Sequence, residues 1–302
     1  MYRKIIVGYD GSERARDGLA LGKLIAEASG ADLVVAGVFQ FDPIWGGRDP
    51  TFQEAEAYLA REIERAAESV GAESEAIPSS SPGRGLHELA EEIDADLVVV
   101  GSSHQSRAGQ VLAGNVGTVL LHGSPCSVAI APHGYAAGAD PQLAQIVVAY
   151  DGSPEAQMAL EDAIALARAS EALLKLVTVA APPVISYGKG GGSSQGWQAL
   201  KESVEELMRE RLEQATASIP GDVRLESVLV NDEPATAVAQ IARNDGALLM
   251  LGSRTYGPLR RVLLGSVATE LARRAPCPLI VHPRPAKSAA PAEERVTAGA
   301  AR

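Results

Sequence analysis

Short apolar runs alternate with long amphipathic stretches along the whole chain. Residues 5–9 and 97–100 are almost wholly apolar, which is typical of strands buried on both faces of a parallel sheet. Residues 52–70 and 197–218 instead carry apolar side chains at helical spacing. Strands that alternate with helices predict parallel pairing through right-handed crossovers. The pattern therefore predicts an α/β protein with a doubly wound sheet.

This pattern occurs twice. Residues 5–39 align without a gap on residues 146–180, with about 14 of 35 positions identical. Residues 93–132 align on residues 244–283, with about 13 of 40 identical. The period is far longer than that of a solenoid repeat, and 302 residues suit two domains of ordinary size. The repeat therefore predicts two homologous domains, each a five-stranded parallel sheet flanked by helices.

Domain boundaries follow from the segments that lack periodicity. Residues 134–144 are small, contain Gly and Pro, and are predicted to be a linker. Residues 284–302 show no apolar period and are predicted to be a disordered tail. The domains are accordingly predicted at 1–133 and 145–283.

Charge and hydropathy exclude several classes of function. The net charge is −11, which disfavours a broad surface for DNA or RNA. No apolar run reaches the roughly 18–20 residues of a membrane span, and the first residues show no secretory signal. We therefore expect a cytoplasmic protein without a nucleic-acid or membrane partner. Cys126 and Cys277 occupy equivalent positions and have no metal-ligand spacing around them.

Candidate chemistry lies where the strands end, since ligands of open parallel sheets bind beyond the carboxyl ends of the strands. Asp10-Gly11-Ser12 follows the first strand, and Asp151-Gly152-Ser153 is its counterpart. Both aspartates suit either a ligand contact or a turn before a capped helix.

The second candidate segment follows the fourth strand of each copy. Gly101 and Gly252 end these strands, and after a long loop Gly114 and Gly265 precede a helix. Free backbone N–H groups at a helix start suit a phosphate. The same glycines also suit close packing of helix on sheet, so both interpretations stay open.

These residues resemble those of the universal stress protein family in its tandem two-domain form. The resemblance covers nearly the whole chain. It rests on the Asp-Gly-Ser turn, the glycine spacing after the fourth strand, and the Pro-Cys before the last strand. It implies a Rossmann-like domain of the adenine nucleotide alpha hydrolase type, present twice.

The resemblance also implies ATP, with Mg²⁺, as the ligand of each domain. Adenine would lie near the first two strands. The residues implied for the first site are Asp10, Gly11, Val38, Gly101, Gly114, Asn115 and Val116. Those implied for the second are Asp151, Gly152, Val179, Gly252, Gly265, Ser266 and Val267.

The chain departs from the family pattern at three positions. His104 and Thr255 replace the second glycine, and Asn115 replaces a Ser or Thr in the first copy. A Cβ at the second glycine narrows the phosphate path or forces a different loop. Because Ser266 is kept, the second site is predicted to be the better one.

Catalytic motifs are missing from the sequence. There is no Gly-x-Ser-x-Gly elbow, Walker A sequence or triad spacing. The sequence therefore predicts an ATP-binding stress-response regulator or sensor rather than an efficient enzyme. A family member that binds partners but no nucleotide, and a slow ATP hydrolase, remain alternatives.

The resemblance implies a quaternary arrangement as well. Single domains of the family pair through their last strands, so residues 128–131 and 278–282 should meet within one chain. Two chains are then expected to form a homodimer.

Overall fold

The computed structural model describes residues 1–40, 50–138, 142–181, 194–244, 246–253 and 264–283. The predicted disordered tail, residues 284–302, lies outside the described residues. Each half folds as an alternating α/β unit, as the sequence predicts.

The strands of the first half are β1 (Lys4–Gly8), β2 (Asp32–Gln40), β3 (Glu73–Ser79), β4 (Leu97–Gly101) and β5 (Ser127–Ala131). Its helices are α1 (Glu13–Ser29), α2 (Pro50–Val70), α3 (Pro82–Glu92) and α4 (Asn115–Leu121).

The strands of the second half are β6 (Gln145–Ala149), β7 (Leu173–Val179), β8 (Leu225–Val230), β9 (Ala247–Gly252) and β10 (Leu279–His282). Its helices are α5 (Pro154–Ser170), α6 (Ser194–Ser218), α7 (Pro234–Ile241) and α8 (Ser266–Arg274).

All ten strands form one sheet, in the order β3-β2-β1-β4-β5-β10-β9-β6-β7-β8. Pairing is parallel within each half. The halves join where β10 runs antiparallel to β5, with Leu279 opposite Ile130 and Val281 opposite Val128. The two domains therefore share one continuous sheet rather than touching through side chains alone.

Strand side chains alternate between two helix layers, because successive residues of a strand point to opposite faces. Ile5 and Val7 face the core under α1 and α2, whereas Ile6 faces the core under α3 and α4. All three are fully buried. This explains why inner strands such as β1 and β4 lack polar alternation.

Helix starts follow the sequence closely. Ser12 caps α1 and accepts a hydrogen bond from the N–H of Ala15, and Ser153 caps α5 through Ala156. Gly114 and Gly265 are the N-cap residues of α4 and α8 in extended conformation, without a side-chain cap. No helix in the described ranges is long and apolar enough to span a bilayer.

The junction between the halves contains a polar cluster that runs from the exposed Met1 to the buried His282. The Met1 ammonium contacts Oδ1 of Asp162 on α5 at 2.8 Å. Nδ1 of His282 lies 3.1 Å from the hydroxyl of Ser127 and 3.7 Å from Oδ2 of Asp162. Burial lowers the pKa of His282 to about 4, outweighing the opposite effect of Asp162, and the nearby Met1 ammonium lowers it further. His282 is therefore neutral in the folded chain near pH 7.

Replacing His282 with Gln should flatten the pH dependence of stability between pH 7 and 5. A folded pKa below the ordinary value means that the unfolded chain binds more protons, so stability falls as the pH drops. From pH 7 to 5 this costs about 2 kcal/mol. Urea unfolding of both proteins at the two pH values measures the difference. An NMR titration of His282 in the parent protein is an independent check, and an apparent pKa above 6 would contradict the burial argument.

The segment after β5 is anchored to the first half by Asp17 of α1. Its carboxylate accepts the N–H of Gly134 and of Ala136, both at 2.9 Å. Asp17 is only 3% exposed. Part of the predicted linker is thus a 3₁₀ helix, Tyr135–Ala137, packed on α1.

Replacing Asp17 with Ala should lower the free energy of unfolding by about 1–2 kcal/mol, because two backbone donors lose their acceptor. Asp17→Asn, whose side chain offers a single oxygen, should lower the free energy of unfolding by less than Asp17→Ala. Arg16→Ala, at an exposed neighbour, is the control and should change stability by less than about 0.5 kcal/mol. Equal stability of Asp17→Ala and Arg16→Ala in urea would refute the anchoring role.

Candidate functional site

Each half has a cavity at the carboxyl ends of its first and fourth strands. The strand order reverses between β1 and β4, and again between β6 and β9. At such a reversal, the loops leaving the two strands run in opposite directions and leave a crevice between them. Both cavities therefore occupy the place that ligands take in doubly wound sheets.

The cavity of the first half has a volume of about 530 Å³, within the usual range of ligand pockets. Its wall combines apolar and polar residues. The apolar residues include Ala36, Val38, Pro82, Leu86 and Val100. The polar residues include Asp10, Ser12, Arg14, Ser103, His104, Gln105 and Asn115.

The Asp-Gly-Ser turn has the same geometry in both halves. Oδ1 of Asp10 accepts the N–H of Ser12 at 3.0 Å, and Asp151 holds Ser153 at the same distance. The glycine between them has φ +81° in the first copy and +77° in the second, a conformation that other residues rarely adopt. Each aspartate therefore stabilises the turn and also lines its cavity.

Gly101 and Gly252 allow a helix to approach the end of a strand. A Cβ at Gly101 would overlap the carbonyl oxygen of Arg14. A Cβ at Gly252 would lie 2.6 Å from Cβ of Glu155 and 2.7 Å from the backbone nitrogen of Ala156. Both glycines thus have a packing role, the first turn of α1 or α5 lying against them.

The loop between β4 and α4 is held by contacts from three directions. Inside the loop, the N–H of Ser103 donates to Leu112 at 2.8 Å. The Ser102 hydroxyl donates to the carbonyl of Ala131 on β5 at 2.7 Å. The loop is also bonded to the other half, where the N–H of Val111 donates to the carbonyl of Ala275 at 2.8 Å.

A second bond to the other half runs from the N–H of Ala113 to the carbonyl of Ala272 at 2.7 Å. Ala272 belongs to α8, and Ala275 is its C-cap. The loop between β4 and α4, which lines the first cavity, is therefore supported by the second half of the chain.

The cavity of the second half is smaller, about 190 Å³. Val204 and Met208 of α6 form part of its wall. Nη1 of Arg211 donates to the carbonyl of Asp151 at 2.7 Å, and the same side chain packs over Gly152. Residues 254–263, which include Thr255, lie outside the described residues.

Most of the residues expected from the sequence line these two cavities. Those in the first are Asp10, Val38, Gly101, Gly114, Asn115 and Val116. Those in the second are Asp151, Val179, Gly252, Gly265, Ser266 and Val267. Gly11 and Gly152 are not among the wall residues, because their role is to turn the backbone.

Sequence reasoning missed several wall residues. Pro82 and Leu86 of α3 close the first cavity, and Pro234 and Val238 of α7 close the second. A proline at the first turn of the equivalent helix in each repeat was the available signal. Arg14 gave no signal, since its copy in the second half is Glu155.

Groups for metal or thiolate chemistry are absent from the described ranges. No three His, Cys, Asp or Glu residues there are placed to hold a metal ion. Burial raises the pKa of Cys126 to about 11 and that of Cys277 to about 12. Both thiols are therefore protonated at neutral pH and poor nucleophiles.

Two parallel half-sheets of order 3-2-1-4-5, each with a cavity at the point of reversal, define a tandem Rossmann-like α/β protein. The model of the universal stress protein family matches residues 1–132 and again residues 143–283. The chain therefore belongs to the universal stress protein family, and it contains two copies of the family domain.

Relatives match over most of the chain. Universal stress protein Rv2005c of Mycobacterium tuberculosis is 29% identical over 294 residues, covering 92% of this chain and 96% of the relative. Universal stress protein Rv2623 of the same organism is 32% identical over 188 residues, covering 62% and 61%. A crystal structure of a universal stress protein from Archaeoglobus fulgidus aligns with 93% of this chain and 98% of its own, with a TM-score of 0.64 and 21% identity.

Substitution of Gly101 by Ala should lower the free energy of unfolding by about 2 kcal/mol or more, because the new methyl group meets backbone that cannot move away. Gly114→Ala is the matched control. Its Cβ would lie 3.4 Å from Ser103, an ordinary contact, so the cost should stay below about 1 kcal/mol. Urea unfolding of both variants measures the difference, and equal losses would contradict the close-packing role of Gly101.

Proposed function

We propose that the chain binds an adenine nucleotide, ATP with Mg²⁺, and acts as a nucleotide-dependent regulator or sensor in a stress response. The observation that carries this proposal is the cavity of the first half, about 530 Å³, whose wall combines apolar side chains of β2 and α3 with polar groups of the loop before α4. A nucleotide has a flat base and charged phosphates, which suit these two kinds of wall residue.

The base is proposed to contact the apolar residues of this wall. Ala36 and Val38 come from β2, and Leu86 comes from α3 on the facing wall. Backbone groups of Val38 lie at the end of β2 and are proposed to contact the base. Asp10, beside them on the wall, is proposed to line the same end.

The phosphates are proposed to contact the polar groups of the wall. Gly101, Gly114, Asn115 and Val116 are proposed to surround them. Gly114 leaves the first turn of α4 without a side-chain cap, so backbone N–H groups there lack a partner within the helix. Such donors suit phosphate oxygens.

The second cavity is proposed to take the same ligand through Asp151, Val179, Gly252, Gly265, Ser266 and Val267. Its volume of about 190 Å³ lies below the range of ordinary ligand pockets. That observation favours a second candidate function for this half, in which it binds a protein partner rather than a nucleotide. Gly11 and Gly152 are proposed to act only through the turns that they form.

Titration of the full chain with ATP by calorimetry, with and without MgCl₂, tests the proposal, and we expect saturable heat. Asn115→Asp and Ser266→Asp assign that heat to a cavity. Both residues are exposed at the first position of a helix, where a carboxylate favours the fold but repels phosphate. Each should weaken its own site about tenfold or more.

Two results would contradict nucleotide binding: no heat in any titration, and no nucleotide released from the purified protein. Heat that both variants leave unchanged would place the ligand elsewhere. Phosphate release measured in the same preparation tests slow hydrolysis, which a rate equal to the buffer blank would exclude.

Homodimer formation and a cytoplasmic location are further parts of the proposal. The strands β3 and β8 are the outer strands of the ten-stranded sheet, since β5 and β10 are paired inside the chain. The edges of β5 and β10 are therefore not available for strand pairing between chains. Light scattering measures the mass in solution, and a strict monomer would contradict the dimer.

A further inference from the structure

Arg14 differs from every other polar residue on the wall of the first cavity. It is the second residue of α1 and lines the cavity next to the Asp-Gly-Ser turn. Besides His104, the described wall residues with acidic or basic side chains are Asp10 and Arg14. Arg14 is therefore the one fixed cation on this wall within the described part of the chain.

One guanidinium nitrogen of Arg14 is buried without a partner. Nη1 is shielded from solvent and has no hydrogen bond in the structure. Guanidinium remains charged at any pH that the protein tolerates. Burial of a charged donor without an acceptor is costly, and native proteins almost always satisfy it. An unsatisfied Arg on a cavity wall therefore indicates an anionic ligand.

The equivalent position in the second half has the opposite charge. Glu155 aligns with Arg14 in the repeat and is 6% exposed. Asp151 lines the second cavity, and its carbonyl accepts a hydrogen bond from Arg211 of α6. The position of Arg14 is therefore acidic in the second half, and the cation near that cavity comes from a different helix.

We propose that Arg14 binds the phosphates of the nucleotide in the first cavity, so that affinity there depends on the number of phosphates. The inference rests on the proposed function. Guanidinium can bind two phosphate oxygens through parallel N–H groups in a planar fork, a geometry that a lysine ammonium does not offer.

The test compares adenosine, AMP, ADP and ATP by calorimetry in the Ser266→Asp background, which weakens the second site. Affinity should rise with phosphate number in this background. Arg14→Gln should reduce ATP affinity about 10- to 100-fold, the effect of losing a hydrogen bond to a charged group. Adenosine affinity should stay within about twofold.

Two further variants separate binding from a structural role. Arg14→Lys keeps the charge but not the planar fork, so ATP affinity should fall by less than with Gln. Arg16→Gln removes an exposed arginine from the same helix and should leave all four affinities unchanged. Equal losses for adenosine and ATP in Arg14→Gln, or no loss for either, would overturn the proposal.

Inorganic tripolyphosphate distinguishes failure of this inference from failure of the proposed function. If adenine nucleotides do not bind but tripolyphosphate raises the melting temperature of the parent and not of Arg14→Gln, Arg14 still forms an anion site. If tripolyphosphate and all nucleotides leave both proteins unchanged, the anion site is refuted together with the proposed function. If ATP binds the parent and Arg14→Gln with equal affinity, the inference is refuted and the proposed function stands.

Discussion

The antiparallel pairing of β5 with β10 is the contact on which the rest of the molecule depends. Residues of both strands are buried on both faces, so their backbone groups have no access to water and must pair with each other. This pairing makes one sheet from two domains and brings Met1, Asp162 and His282 into a single cluster. It also sets the distance between the two cavities, because the strands that separate them have a fixed spacing.

One consequence of the continuous sheet is that the cavities share a structural element. α8 follows Gly265, on the wall of the second cavity, and near its other end Ala272 and Ala275 accept hydrogen bonds from the loop of the first. The same helix therefore lines one cavity and supports the loop that lines the other.

The sequence was informative where structure depends on local chemistry. Serine caps, the glycine of a left-handed turn and the apolar strand runs act within a few residues, so they can be read without a fold. The anchoring of Gly134 and Ala136 by Asp17, and the support of Val111 by Ala275, join segments far apart in the chain. Cavity volume is equally non-local. Ranking the sites by Ser266 alone therefore omitted the wall residues supplied by other elements.

Duplication explains why the differences between the halves are concentrated at a few positions. The fold requires Gly101 and Gly252 equally, because each lies under the first turn of a helix, and both copies keep them. Arg14 and Glu155 occupy equivalent positions in that first turn but have opposite charges. Asp17 is replaced by Met158 in the second copy, and the segment that Asp17 holds follows the first domain. The two copies thus keep the glycines that close packing requires and differ at positions beside the cavity and at the junction.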